Sequence, residues 1–152
     1  MAGPLTITAP VSGVLASLDA VGDPVFAARM LGPGCAIDPD PAESGVAAPV
    51  SGVLAALHPH AFVVQAGERS VLVHLGIDTV HLDGVGFAGE LEVGAAVSAG
   101  DVVLRWDVAA VAAAGLGVLC PVVALQAPSE AVRWLVGKDA TVVVGDPILE
   151  WV

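Results

Sequence analysis

One segment of the sequence occurs twice, and that constrains the fold more than anything else in it. Ala9 to Leu18 reads APVSGVLASL and Ala48 to Leu57 reads APVSGVLAAL, differing only at Ser17 against Ala56. Each copy is a proline-started alternating run with a Ser-Gly turn signal inside it. Two such copies predict one strand-turn-strand unit used twice and packed face to face. The rest of the chain keeps the β rhythm: AFVVQ, SVLVHLG, DTVHL, DVVLRWD, PVVALQ and ATVVVGDPILEWV follow at intervals of about ten residues, the spacing of a sandwich or barrel. The expected fold is therefore all-β, a sandwich or barrel built from a duplicated unit with one or two short helices. Asp107 to Ala114 is the best helix candidate, with Asp at its start, an Ala-rich interior and Gly115 at its end. Ser129 to Leu135 is expected to form a second short helix capped by Ser129, and Asp38 to Ser44 a surface loop between the two copies. No linker-like stretch divides the chain, so residues 1–152 read as a single domain.

Composition narrows the function classes. Hydrophobic residues at 56% and charged residues at 14% exclude disorder, and a net charge of −11 excludes nucleic acid or an anionic membrane as the partner. That field favours a protein partner carrying a basic patch. Val108 to Leu125 is the only apolar stretch long enough to raise a membrane span. Its Ala and Gly content and Pro121 favour a short helix followed by a buried strand. The N-terminus MAGPLTITAP has neither a basic nor an apolar export region, so the chain is expected to be cytoplasmic. Cys35 and Cys120 form no CxxC pair and are expected to be free thiols.

The chain has four histidines and no tyrosine, so few groups are available for chemistry. If residues 60–65 and 70–74 form a hairpin with its tip centred on Gly67, His60 stands opposite His74 on one face, continued by Phe62 and Leu72. Val71, Val73 and Leu75 then point the other way. This requires an odd number of loop residues or a bulge, because a two-residue loop would send the imidazoles to opposite faces. A neutral imidazole offers one free nucleophilic nitrogen, and a second beside it can hydrogen-bond an anion carried by the first. His81, alternating with Val80 and Leu82, reads as an ordinary strand residue, and His58 more often as structural than as functional.

At this point the residues resemble a known family. His60-Ala61-Phe62, the run Val73-His74-Leu75-Gly76-Ile77-Asp78-Thr79-Val80, and Gly84-Val85-Gly86-Phe87 are similar to the glucose-type enzyme IIA component of the bacterial phosphoenolpyruvate-dependent sugar phosphotransferase system. Both APVSG segments, Gly22 to Phe26, Gly32, Ala36-Ile37, Gly100-Asp101 and Thr141 to Pro147 match in order, so the resemblance runs from about residue 5 to 150. It implies a duplicated β fold and a phosphoryl relay without cofactor or metal. Phospho-HPr would be the donor, a cysteine of enzyme IIB in a membrane sugar permease the acceptor, and regulatory proteins further targets. By motif position His74 is the implied phosphoacceptor and His60 the supporting histidine. Asp23 and Asp78 are rim carboxylates, and Phe26, Phe62 and Phe87 belong to an apolar docking surface. Donors for the phosphoryl oxygens would be His60 and backbone N–H groups around Leu75 and Gly76. Three features depart from the family: a His60–His74 spacing one residue short, His58 where a small hydroxyl residue usually bonds the supporting histidine, and a start almost at the domain, without an N-terminal membrane-associating tail. A transient relay is expected to be a monomer.

Other readings compete. His58-Pro59-His60 and His74 to Asp78 also resemble zinc-peptidase ligand pairs on related folds, in reversed order. The APVSGVL strands resemble biotinyl or lipoyl carriers, but Lys138 lacks the Met-Lys-Met setting. A non-catalytic regulatory module would keep the fold and need no nucleophile.

Overall fold

The computed structural model describes residues 3–152. Met1 and Ala2, part of the expected 1–152 unit and of the stretch read for export signals, lie outside the described residues. The strands are β1 (Leu5–Thr8), β2 (Gly13–Ala16), β3 (Gly34–Pro39), β4 (Gly45–Ala47), β5 (Gly52–His58), β6 (Ala61–Ala66), β7 (Arg69–His74), β8 (Phe87–Gly89), β9 (Ala96–Val97), β10 (Val102–Trp106), β11 (Cys120–Ala124), β12 (Val132–Trp134), β13 (Thr141–Val142) and β14 (Pro147–Trp151). Two short helices, α1 (Pro24–Ala27) and α2 (Val108–Ala113), and 3-10 turns at Leu18–Ala20, Thr79–Leu82 and Ser129–Ala131 complete the chain. Among the described residues no helix is long and apolar enough to cross a membrane.

The strands form an open antiparallel sheet, β13-β2-β3-β11-β7-β6-β5-β9, and two three-stranded sheets, β1-β14-β12 and β4-β10-β8. This is a sandwich and not a closed barrel. Its core joins Leu15, Ile37, Phe62, Val64, Val71, Val73 and Val122 of the large sheet to Ile7, Val46, Val103, Leu104, Ile148 and Leu149 of the small ones. The opposite face of the large sheet is covered only locally, where Leu18, Val21 and Phe26 close over Ala36 and Val123.

The duplicated segment places a pseudo-two-fold axis through this sandwich. Thr8 N–H donates to the Pro49 carbonyl and Ala47 N–H to the Pro10 carbonyl, both at 2.8 Å, so the two copies clasp each other reciprocally. Ser12 Oγ accepts from Val144 N–H at 3.0 Å, and Ser51 Oγ accepts from Ala99 N–H at 2.9 Å. The glycine of each copy is there for close approach: a Cβ on Gly13 would lie 2.0 Å from the Asp38 carbonyl oxygen, and one on Gly52 2.1 Å from that of Gln65. The same two-fold relates a longer pair that the sequence reading did not join. Gly100-Asp101 leads into β10 as Gly145-Asp146 leads into β14, and each Asp carboxylate accepts from the backbone three residues earlier, at Ser98 and Val143.

Local expectations fared unevenly. Helix α2 forms as expected, its Asp107 cap accepting from Ala110 N–H at 3.0 Å and Val108 and Val111 buried. The expected helix over Ser129 to Leu135 is only a 3-10 turn that gives way to β12. Val132, Arg133 and Trp134 pair there with Trp151, Glu150 and Leu149, and the ladder to β14 overrides the capping signal. DTVHL is a 3-10 turn, not a strand, with Asp78 and Asp83 at its ends both in the left-handed region. Both cysteines are free and buried, and burial pushes each thiol up to about 12.

Candidate functional site

His60 and His74 do meet, by a different route from the hairpin argument. The β6–β7 ladder pairs Ala61 with His74, Phe62 with Val73 and Ala66 with Arg69, leaving the two-residue loop Gly67-Glu68. A two-residue loop was expected to separate the rings. It does not, because His60 is not a strand residue. His58 pairs with Ala61 across β5 and β6, so Pro59 and His60 are the two residues of that turn and the pleat does not govern where the His60 side chain goes. The rings lie edge to face, centroids 5.1 Å apart at 71°. The His60 carbonyl accepts from Leu75 N–H at 2.8 Å, which ties the turn to the end of β7.

The corrected register also reassigns Phe62. It shares the interior face with Val71 and Val73, is 0% exposed, and belongs to the main core rather than to a docking surface. Phe26 is buried too, but against the site. Asp23 caps α1 by accepting from Val25 N–H at 2.8 Å, Pro24 occupies its first turn, and the helix brings the Phe26 ring to 5.1 Å from His74. Phe87 is half-buried and stacks on Trp106 at 6.0 Å.

The tautomer of His74 follows from its partner. Nδ1 lies 2.7 Å from the Gly76 carbonyl oxygen, which can only accept, so Nδ1 carries the proton and Nε2 keeps a free lone pair. The turn that aims this carbonyl is tightly specified. Gly76 has φ +74°, and a Cβ there would meet both the Gly117 carbonyl oxygen and Thr79 Cγ2 at 2.7 Å. Thr79, itself buried, donates its hydroxyl to the Leu75 carbonyl at 2.7 Å, and Ile77 N–H donates to Gly117 at 2.9 Å. Of the backbone donors expected after His74, Leu75 N–H is already engaged by the His60 carbonyl.

Burial lowers the pKa of His74, opposed by the Gly76 carbonyl and by the charges of Asp23 and Asp78. Burial first, then the neighbouring His74 and His58, lowers that of His60. Both rings are thus favoured in the neutral form, the one that attacks electrophiles. Asp23 and Asp78 act on His74 through space without hydrogen-bonding it. His81 is exposed on its 3-10 turn, and His58 is exposed at the end of β5 with its ring 5.9 Å from that of His60. Among the described residues no three His, Cys, Asp or Glu side chains gather as metal ligands would. The reading of the sequence missed α1 and the Leu18–Ala20 turn, although Asp23-Pro24 and Ser17 are ordinary start signals.

A duplicated sandwich that holds one half-buried, tautomer-locked imidazole beside a second, at the end of an interior strand of its large sheet, defines a carrier scaffold. The family model described as phosphoenolpyruvate-dependent sugar phosphotransferase system, EIIA 1 matches residues 5–130, and the chain belongs to that family. A glucose-specific EIIA component of Bacillus anthracis is 36% identical over 140 residues, covering 90% of this chain and 84% of that protein. A glucose-specific EIICBA component of Streptococcus pneumoniae is 43% identical over 107 residues, 68% of this chain but 14% of that much longer protein. The solved glucose permease IIA from Mycoplasma capricolum superposes with a TM-score of 0.88 at 34% identity, covering 99% of this chain and 97% of that one. The chain is accordingly a phosphoryl carrier of a sugar phosphotransferase system and one of its phosphotransferase components.

Proposed function

We propose that this chain accepts the phosphoryl group of phospho-HPr on His74 Nε2 and passes it to a cysteine of enzyme IIB, residues 1–152 working as one cytoplasmic, monomeric domain. The observation that carries the reading is the Gly76 carbonyl on Nδ1, which leaves Nε2 as the only unprotonated nitrogen of the half-buried ring. In the first step the Nε2 lone pair attacks phosphorus, and the donor's P–N bond breaks with its electron pair returning to the donor imidazole. The Nδ1 proton stays on His74, stabilised by Gly76 as charge develops on the ring. In the second step a thiolate of enzyme IIB attacks the same phosphorus and the pair of the His74 N–P bond returns to Nε2. Such transfer needs in-line placement and stabilised equatorial oxygens more than any other chemistry. His60 is the donor to those oxygens, its ring centroid 5.1 Å from that of His74.

Asp23 and Asp78 face the arginine side chains of a partner, consistent with the net charge of −11. Phe26 and Phe87 contribute apolar surface beside the histidines, whereas Phe62 has no part in docking. Enzyme IIB as acceptor is supported by the Streptococcus pneumoniae relative, whose name joins an A component to B and C components. Regulatory proteins that read the phosphorylation state would use the same face. Incubation with phosphoenolpyruvate, enzyme I and HPr tests the relay. The expected label is acid-labile and alkali-stable, absent from His74→Ala, and taken up but poorly passed on by His60→Ala. Label retained by His74→Ala would refute it.

A further inference from the structure

The ring of His74 is held on two sides, by the Gly76 carbonyl and by the edge contact of Phe26. The ring of His60 is not. Among the described residues no group hydrogen-bonds either of its nitrogens, and its ring contacts are His74 on one side and His58 on the other. His60 stands in a two-residue turn, where the backbone is set by Pro59 and by the Leu75 N–H bond but the side chain has no neighbours on its own strand to confine it. His58 is the last residue of β5 and leans over that turn, its ring 5.9 Å from His60 and only 30° from parallel. His58 also lines a cavity of about 280 Å³ with Leu57, Pro59, Gly84, Phe87 and Leu104, whereas His60 stays outside it.

We infer that His58 is a positioning residue for the relay: its ring flanks His60 and keeps that imidazole turned toward the phosphoryl group on His74. The three rings then form a row in which only the innermost is the nucleophile, the middle one holds the phosphoryl oxygens, and the outer one acts solely through the middle one. This rests on the relay reading above, and it assigns the acting property of His58 to its flat face and not to its proton. An imidazole released from this contact spreads over about three χ1 wells and two ring orientations, so the productive fraction falls about three- to sixfold.

The test is single-turnover transfer from the phosphorylated full chain to an isolated glucose-specific enzyme IIB domain, followed by rapid quench. His58→Ala is expected to lower the maximal transfer rate about three- to sixfold while leaving the half-saturating concentration of enzyme IIB unchanged. His58→Phe, which keeps a ring face but has no ionisable nitrogen, is expected to restore the rate. The His60 ring proton shifts should move in His58→Ala and return toward wild type in His58→Phe. Transfer by His58→Ala at the wild-type rate would overturn the proposal. So would His58→Phe being as slow as His58→Ala, or a loss seen wholly in the half-saturating concentration. A wild-type chain that takes no label from phospho-HPr would instead defeat the relay itself, which separates the two failures.

Discussion

Gly76→Ala tests the link between one backbone carbonyl and the reactivity of His74. The substitution is strained twice over. The native φ of +74° lies in the left-handed region, which costs a residue with a Cβ about 1–2 kcal/mol. The new methyl also meets the Gly117 carbonyl oxygen and Thr79 Cγ2 at 2.7 Å, so the turn has to move. With the clash added, a loss of at least ~2 kcal/mol is expected, or a fall in Tm of about 4–8 °C for a domain of this size. Moving the turn takes the Gly76 carbonyl away from Nδ1. A neutral hydrogen bond is worth about 0.5–1.5 kcal/mol net, so the preference for the Nδ1–H tautomer weakens by about two- to twelvefold. Long-range ¹H–¹⁵N spectra of the imidazole read that ratio directly, and labelling by phospho-HPr below the Tm should slow as the reactive tautomer is depleted. Gly100→Ala is the control: its φ of +95° is also positive, but a Cβ there meets nothing within 4 Å. It should lower Tm and leave labelling alone. A Gly76→Ala chain with mixed tautomers that is nevertheless labelled at the wild-type rate would refute the role given to the carbonyl.

The lowered pKa of His74 fixes the sign of the pH response. An unperturbed imidazole of pKa about 6.5 is about three-quarters protonated at pH 6, so labelling that holds up at that pH is expected, and a fall centred on 6.5 would contradict the burial of the ring. Because the folded pKa is depressed, the unfolded chain binds the extra proton first. Stability present above pH 6.5 is lost as pH falls toward the folded value, at up to about 1.4 kcal/mol per pH unit, and His74→Gln should flatten that slope in urea titrations. Phe62→Ala should cost about 3–5 kcal/mol of unfolding free energy as a core cavity; an unchanged urea midpoint with weakened enzyme IIB transfer would return Phe62 to the docking surface. Asp101→Ala and Asp146→Ala, which remove equivalent turn bonds of 2.8 and 2.9 Å, should destabilise by equal amounts of about 1 kcal/mol, and strongly unequal losses would argue against the pseudo-symmetry.

The duplication was readable because its two copies keep the same chemistry: the Ser hydroxyl bonds a loop, and the Gly admits a neighbouring carbonyl. Its continuation through β10 and β14 is also in the sequence, as GDVVLRW at 100–106 and GDPILEW at 145–151, but it was not joined to the first repeat because these copies stand 45 residues apart and the APVSG copies 39. The meeting of His60 and His74 was reached by a period-two argument applied to a residue that sits in a turn, and the register it assumed is off by one. That error moved Phe62 to the wrong face. The short helices and 3-10 turns were misread in both directions, because one turn of helix is decided by caps and by what ladder the next residues join, not by periodicity. The lock on His74 Nδ1 lay beyond the sequence altogether, since it depends on where a carbonyl two residues away is pointed.

The pseudo-two-fold relates the pair Ala61–His74 to the pair Gly34–Val123, so the other half presents a valine where this half presents an imidazole. Phe26 belongs to both places, sealing Val123 together with Leu18 and Val21 while its ring edge touches His74. The half without an imidazole thus buttresses the half that carries His74: the wall beside that ring is the outer side of a hydrophobic plug.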